Sequence, residues 1–335
     1  MKNLEIQNKE SKIRKLEQDI KDLKQGEITE NIENYILQLM HEIELLNIRL
    51  EENISYEISD RNTLLKQYQK SREELSQYYG NIQDYNQKLQ YNKVLAQTKE
   101  LEYKIYHNIP TLKADNARDM LVNSMNYYEI LIVMVIIIIS ASIISEEFNK
   151  GTIKLLLIKP YKRWKILLSK LITVILITII IIMSILLIQT IVGGVVYGFE
   201  DYTVPVIKYD FNVNSVIEIN AFADYFILIG AKLPMYLLLL TITFAIATLS
   251  SNTSISIILG VLLYLSENII YVTNNMKFSK YLLTTNWDFT RYLFGNLAET
   301  NFLTFDFSIL ICSISFIIAI SITFIYFSNK DIKNI

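Results

Sequence analysis

With 335 residues the chain has room for two or three soluble domains, but its composition excludes that reading. Half of the residues are hydrophobic (51%), only four are proline, and the apolar ones concentrate after residue 125, so the net charge of −2 averages over two different solvents. A single cysteine, Cys312, lies in a late apolar run; it excludes an intrachain disulfide and a cysteine-built metal centre, and reads as a small buried apolar side chain.

The amino terminus, MKNLEIQNKESKIRK, lacks the apolar core of a secretory signal. Residues 1–107 read as long helix. Apolar positions 13, 16, 20 and 23, then 32, 36, 39, 43, 46 and 50, alternate steps of three and four. Leu75, Tyr79, Ile82, Tyr85 and Leu89 repeat the pattern, with Lys, Glu and Gln outside it. This spacing predicts a coiled-coil seam over 1–110. Gly26 interrupts the first stripe, and SDRNT at 59–63 reads as a turn, so a helical hairpin is the preferred form. A continuous rod paired with a second copy buries the same stripe. His41 and His107 are solvated helix-surface residues in this reading, without a ligand or catalytic role.

Pro110 closes the region, and 111–128 is an amphipathic lead-in ending in Tyr127 and Tyr128, aromatics suited to a water–lipid boundary. Five apolar spans follow, at about 129–145, 166–190, 233–249, 255–273 and 306–327. The 191–232 connection, with its glycines, Pro205 and acidic balance, reads as a loop, with 221–232 a short interfacial helix. The polar turn SSNTS precedes the fourth span. The fold class is therefore all-α: a polytopic helical membrane protein of about five transmembrane helices behind a helical coiled-coil region.

One stretch sets the orientation. Between the first two spans, 146–165 carries Lys150, Lys154, Lys159, Lys162, Arg163 and Lys165 against Glu146 and Glu147. Positive charge near span ends marks the cytoplasmic side. Counting crossings from there puts the carboxyl terminus, with Lys330 and Lys333, in the cytoplasm and the coiled coil outside the cell membrane. An outside region of that size calls for an earlier span to start its translocation, so the chain is expected to lack a first span. The inverted topology would place six cations of one loop outside.

Within 145–170, SEEFNKGTIKLLLIKPYKRWKILLSK, the order is an acidic pair, Gly-Thr, an apolar stretch, a proline, a basic and aromatic cluster, then a lysine opening the next span. Here these are Glu146, Glu147, Gly151, Thr152, Leu155 to Ile158, Pro160, Arg163, Trp164 and Lys170. The pattern resembles the permease subunit of ABC-2 type transporters. FSNKDI at 327–332 and TNWDFTRYLFG at 285–295 are similar to weaker features of that family. The resemblance implies six spans and a cytoplasmic coupling segment at 146–165. It also implies a homodimer, or pairing with a second permease, and a separate ABC ATPase subunit as partner. The residues themselves describe an elbow. Gly151 permits a sharp turn, Pro160 blocks continuous helix, the basic residues reach lipid phosphates, and Trp164 sits at headgroup depth.

The chain carries no GxxxxGK(S/T) motif and no spaced set of nucleophile, base and orienting residue. No catalytic residue, cofactor or metal is expected, and no nucleic-acid partner; the bilayer is the solvent. Glu129, Lys232 and Glu267 fall near the predicted outer ends of spans and read as interface charges. Two function classes follow. The first is a membrane-spanning permease, an exporter of a hydrophobic, peptide or drug-like substrate driven through 146–165. The second is a non-transport membrane sensor or scaffold with an external coiled coil.

Overall fold

The computed structural model describes residues 2–23, 40, 43, 46–47, 59–78, 82, 84–107, 109–153, 161–269, 279–298 and 300–330. The chain divides into two units, one built from 1–114, 204–219 and 294–299, the other from 115–203, 220–293 and 300–335.

In the first unit, helix α1 (Lys2–Leu23) presents Ile13, Leu16 and Ile20 as one stripe, which packs with Leu46 and Ile43. Helices α2 (Ser59–Ser76) and α3 (Tyr85–Tyr106) form an antiparallel pair. Leu65 and Tyr68 meet Leu101 and Ile105. Further along, the buried Ser71 and Thr98 hydroxyls hydrogen-bond at 2.5 Å, and the Tyr78 and Tyr91 rings meet edge to face near the connection. Asp84 caps α3 by accepting from the Gln87 N–H at 2.7 Å. The patch 59–63, expected as a turn, instead opens α2. Ser, Asp, Asn and Thr serve a first helical turn as readily as a loop, because their side chains bond nearby backbone groups in both.

The remaining part of this unit departs from the all-α expectation. Strands β1 (Val206–Asp210) and β2 (Ser215–Ile219) form an antiparallel hairpin with Val206 opposite Ile219 and Asp210 opposite Ser215. Two strands alone are marginal in water. Here they gain support from α3. The Tyr209 N–H donates to Glu100 at 3.0 Å, and the Tyr103 hydroxyl donates to Glu218 at 3.2 Å. The Phe211 N–H donates to the Phe294 carbonyl at 2.8 Å, and the Tyr85 hydroxyl to the Ala298 carbonyl at 2.7 Å, which adds 294–298 to the same unit.

The second unit is helical and apolar. Among the described residues, four helices are long and apolar enough to cross a membrane: α5 (Glu129–Asn149), α6 (Arg163–Tyr197), α7 (Ala221–Ser250) and α9 (Phe305–Asn329), with α4 (Ala117–Val122) ahead of them. The predicted fourth span, 255–273, is described only as far as residue 269. Helix α8 (Thr253–Leu265) has 13 residues, about 20 Å, a 3₁₀ turn continues it over Ser266–Ile269, and 270–273 lie outside the described residues. The predicted interfacial helix at 221–232 and span at 233–249 are one 30-residue helix that carries Pro234 inside it.

Helix α5 buries Val133, Ile137, Ala141, Ile144 and Phe148, spaced at threes and fours, against α6, α7 and α8. Gly260 brings α8 close to its neighbours. A Cβ there would meet Thr243 Oγ1 at 2.8 Å and Ile137 Cγ2 at 3.0 Å, the close approach that small residues allow between membrane helices. The chain is a multi-span membrane protein.

Burial against the hairpin pushes the Glu100 carboxyl above its usual range, opposed by the Tyr209 N–H and by Lys208 and Lys104. A carboxyl raised in the folded state contributes stability below its unfolded pKa, and that contribution is lost as pH rises through the folded value. Glu100→Gln keeps an acceptor for Tyr209 without the charge. In thermal melts followed by circular dichroism, the variant is expected to be more stable than the parent at pH 8. The two are expected to converge near pH 4. A variant less stable than the parent at pH 8 would contradict this account.

Candidate functional site

Five helix ends of the second unit meet at one level. The last turn of α5, the first of α6, the last of α7, the first of α8 and the last of α9 are joined by polar contacts. The Ser145 and Thr253 hydroxyls hydrogen-bond at 2.8 Å, and Asn149 Nδ2 donates to Thr253 Oγ1 at 3.4 Å. The Tyr326 hydroxyl donates to the Leu249 carbonyl at 3.3 Å, and Lys330 Nζ donates to Ser251 Oγ at 2.5 Å. Lys330 also lies 4.3 Å from the Phe148 ring centroid.

The predicted segment contributes most of this basic end. Glu146 pairs with Lys150 at 2.7 Å, one helical turn away and well exposed. Glu147 pairs with Lys170 of α6, each side chain about one-fifth exposed, so this contact ties two helices where the first only decorates one. Gly151 has φ +70°, a left-handed conformation that ends α5 and that L side chains rarely adopt. The Thr152 hydroxyl faces the Glu147 carbonyl at 3.5 Å.

Arg163 turns away from that group. Its Nη1 donates to the carbonyls of Ser328 at 3.1 Å and Lys330 at 2.8 Å, a cation on the carbonyl end of α9. Trp164 is 42% exposed and stacks loosely with Lys165, 5.7 Å from its ring centroid. Pro160 and the apolar run 155–158 lie outside the described residues. The structure thus brings Glu147 and Lys170 together, sets Glu146, Gly151 and Thr152 beside them, and gives Arg163 a different partner.

At the other end of α5 stands a cluster that the sequence scattered over 160 residues. Lys232 lies about three turns into α7, its side chain 5% exposed, paired with Glu129 at the first residue of α5. The Tyr264 hydroxyl of α8 donates to the other Glu129 oxygen at 3.1 Å. Tyr236, one turn along α7 from Lys232, is 1% exposed, and its hydroxyl has no partner among the described residues. Glu267 and Arg291 face each other at 3.9 Å, and Arg291 also donates to the carbonyls of Asp288 at 3.0 Å and Thr285 at 3.2 Å. The expectation of simple interface charges fails for Lys232, because α7 runs unbroken through 221–250 and carries this lysine into the helix packing. The signal available in the sequence was an ionisable residue flanked on both sides by apolar helix.

Beside this cluster, Asn286 and Trp287 of TNWDFTRYLFG form a clasp. Asn286 Nδ2 donates to the carbonyls of Lys280 and Leu282, each at 2.8 Å, while its Oδ1 accepts from Ser308 at 2.9 Å. The Cys312 thiol donates to the Asn286 carbonyl at 3.3 Å, and Trp287 is fully buried. Among the described residues, no group of three His, Cys, Asp or Glu side chains is arranged to hold a metal ion.

Comparison with known proteins corrects the family. The family model that matches, over residues 86–333, is described as "Protein of unknown function (DUF2705)". The uncharacterized protein YhcI of Bacillus subtilis (strain 168) is 30% identical over 235 residues, 70% of this chain and 74% of that protein. The uncharacterized membrane protein YdbK of the same organism is 28% identical over 207 residues, 61% of this chain and 79% of that protein. No solved structure matches. The resemblance to ABC-2 permeases is overturned, because the family covering the very stretch that carried it is a different one. The cations of that stretch are what a cytoplasmic loop between two spans carries in general, so they do not single out one family.

Removing one partner of a desolvated ion pair leaves a charge stranded and costs about 3–5 kcal/mol. Lys232→Met is expected to destabilise the protein in detergent by about that amount. Glu129→Gln combined with Lys232→Met is expected to recover most of the loss, since Gln still accepts from Tyr264. A double variant as unstable as the single one would show that the pair is not what holds α5 to α7.

Proposed function

The chain belongs to the DUF2705 family, and on that premise we propose that it is the membrane-embedded subunit of a transport machine, moving a hydrophobic or amphiphilic solute and driven by a separate soluble partner that hydrolyses ATP. The observation that carries this reading is Lys232, a cation nearly out of contact with water between membrane-crossing helices, paired with Glu129 and Tyr264. Ionisable groups in that position are expensive, and membrane proteins keep them along substrate or ion paths. A lysine needed only as an interface anchor would snorkel to water, and this one does not.

The driving partner docks on the basic end in this proposal. Glu146, Thr152, Lys162 and Trp164 offer an exposed surface there, and the Glu147–Lys170 pair makes α5 and α6 move as one body. The basic end is cytoplasmic in this scheme, and the 206–219 hairpin and the amino-terminal helices lie outside. Transport then requires two states of the helix packing that differ in contact energy at that docking surface.

A second reading, a non-transport sensor or scaffold, draws on the first unit. Its hairpin is fastened to α3 by Glu100, Tyr103 and Glu218, as a recognition module would need. The two readings separate by capture. A photoreactive amino acid at position 152 or 162, irradiated in cells, is expected to cross-link an ATP-hydrolysing protein whose activity rises in the presence of the membrane-inserted chain. Capture of no such protein from either position, with function that survives alterations of 146–152 but not of 206–219, would favour the sensor.

A further inference from the structure

A second feature of the basic end borders that docking surface and shares Glu146 and Thr152 with it. A groove of about 550 Å³ runs between α5 and α6, walled by Ile138, Ile139, Ile143 and Ile177 at one end. Its other end reaches Glu146, Glu147, Lys150 and Thr152, with Ser142 between the two regions. From Ile138 to Glu146, where the polar mouth begins, the groove follows α5 for about 12 Å. That is most of one leaflet's half of the hydrocarbon core, about 15 Å. One leaflet's acyl chain therefore fits its length, with the polar mouth at the depth of a headgroup.

The charges at the mouth decide which headgroup. Glu146 is matched by Lys150, and Glu147 by Lys170, so the mouth is balanced and presents both signs side by side. A purely anionic lipid would bring its phosphate to Lys150 and Thr152 but set negative charge against two carboxylates. A zwitterion answers both signs. The exposed Glu146 carboxylate accepts hydrogen bonds, which a primary ammonium supplies and a quaternary one cannot. Hydrogen bonds between ionised partners are about twice as strong as neutral ones.

We infer that the groove between α5 and α6 is a binding site for one phospholipid with a primary-amine zwitterionic headgroup: its chain along Ile138, Ile139, Ile143 and Ile177, its ammonium on Glu146, its phosphate on Lys150 and Thr152. The occupant is lipid because the cleft opens among membrane helices and its polarity changes along the axis as an amphiphile's does. The site stands whether or not the chain transports anything.

Native mass spectrometry of the full chain in detergent tests it, with phosphatidylethanolamine, phosphatidylcholine and phosphatidylglycerol of identical chains added at equal concentration. One ethanolamine lipid is expected to be retained, at about fivefold or higher occupancy than the choline lipid. Ser142→Trp and Ile139→Trp, which fill the groove from adjacent positions on the lipid-facing side of α5, are each expected to abolish that excess. Lys150→Ala, an exposed change, is expected to lower it. Equal retention of the three lipids, preference for the glycerol lipid, or displacement by soluble phosphoethanolamine alone would overturn the proposal. So would full retention by both tryptophan variants with unaltered melting temperatures.

Discussion

Helix α5 carries a carboxylate at each end, and each is held by a lysine from a different neighbour. Glu129 takes Lys232 of α7, and Glu147 takes Lys170 of α6. The two carboxylates are separated along one helix by about 27 Å, close to the thickness of the hydrocarbon layer, about 30 Å. Between them the helix surface is almost wholly apolar, and apolar packing alone resists sliding poorly when lipid is as greasy as the helix. The two ion pairs supply what packing lacks, an axial register. Shifting α5 by one turn against either neighbour strands a charge, so α5, α6 and α7 share a position that none could set alone.

The ends are not equivalent. At the first, Lys232 is nearly sealed and Tyr264 adds a hydrogen bond, so opening it exposes a charge to an apolar surround. At the second, both side chains are about one-fifth exposed, and hydroxyl contacts from Ser145 to Thr253 and from Lys330 to Ser251 spread the load over neighbouring helices. The Glu146–Lys150 pair beside it is well exposed, and exposed ion pairs contribute little, commonly under about 1 kcal/mol. At the basic end that outer pair is the part open to change at small cost, while Glu147 and Lys170 still tie α5 to α6. Arg163 reinforces the difference. By satisfying the terminal carbonyls of α9 it fixes that helix to the start of α6 rather than to the elbow.

Much of the membrane part was legible because long apolar runs force helix in lipid, where every backbone group must be paired internally. The predicted span at 166–190 lies within α6, and 306–327 within α9. The elbow was legible too, since Gly151 marks the end of α5 and the acidic pair sits in its last turn. What failed were features that depend on residues distant in sequence. Nothing local to Glu129, Lys232 or Tyr264 says that three helices bring them together. The interfacial helix at 221–232 and the span at 233–249 are one helix, since the missing N–H of Pro234 is tolerated within a membrane helix. The hairpin was hidden by glycines and acids around it. VIKYD and SVIEI, with the turn residues between them, carried the strand signal and were passed over as loop. The family assignment failed for a physical reason as well, because positive charge near span ends follows from the bilayer and is shared among unrelated proteins.

The account stands on α5 crossing the bilayer, with Glu147 and Lys170 at one face and Glu129 and Lys232 toward the other. Cysteine accessibility measures this directly. In a Cys312→Ser background, where serine still donates to the Asn286 carbonyl, single cysteines are placed at Lys162 and at the exposed Tyr127 just ahead of α5. A membrane-impermeant maleimide is expected to label the Tyr127→Cys protein in intact cells, and the Lys162→Cys protein only after the membrane is opened. Labelling of both positions in intact cells, or of neither, would put the two ends of α5 on the same side and contradict the account.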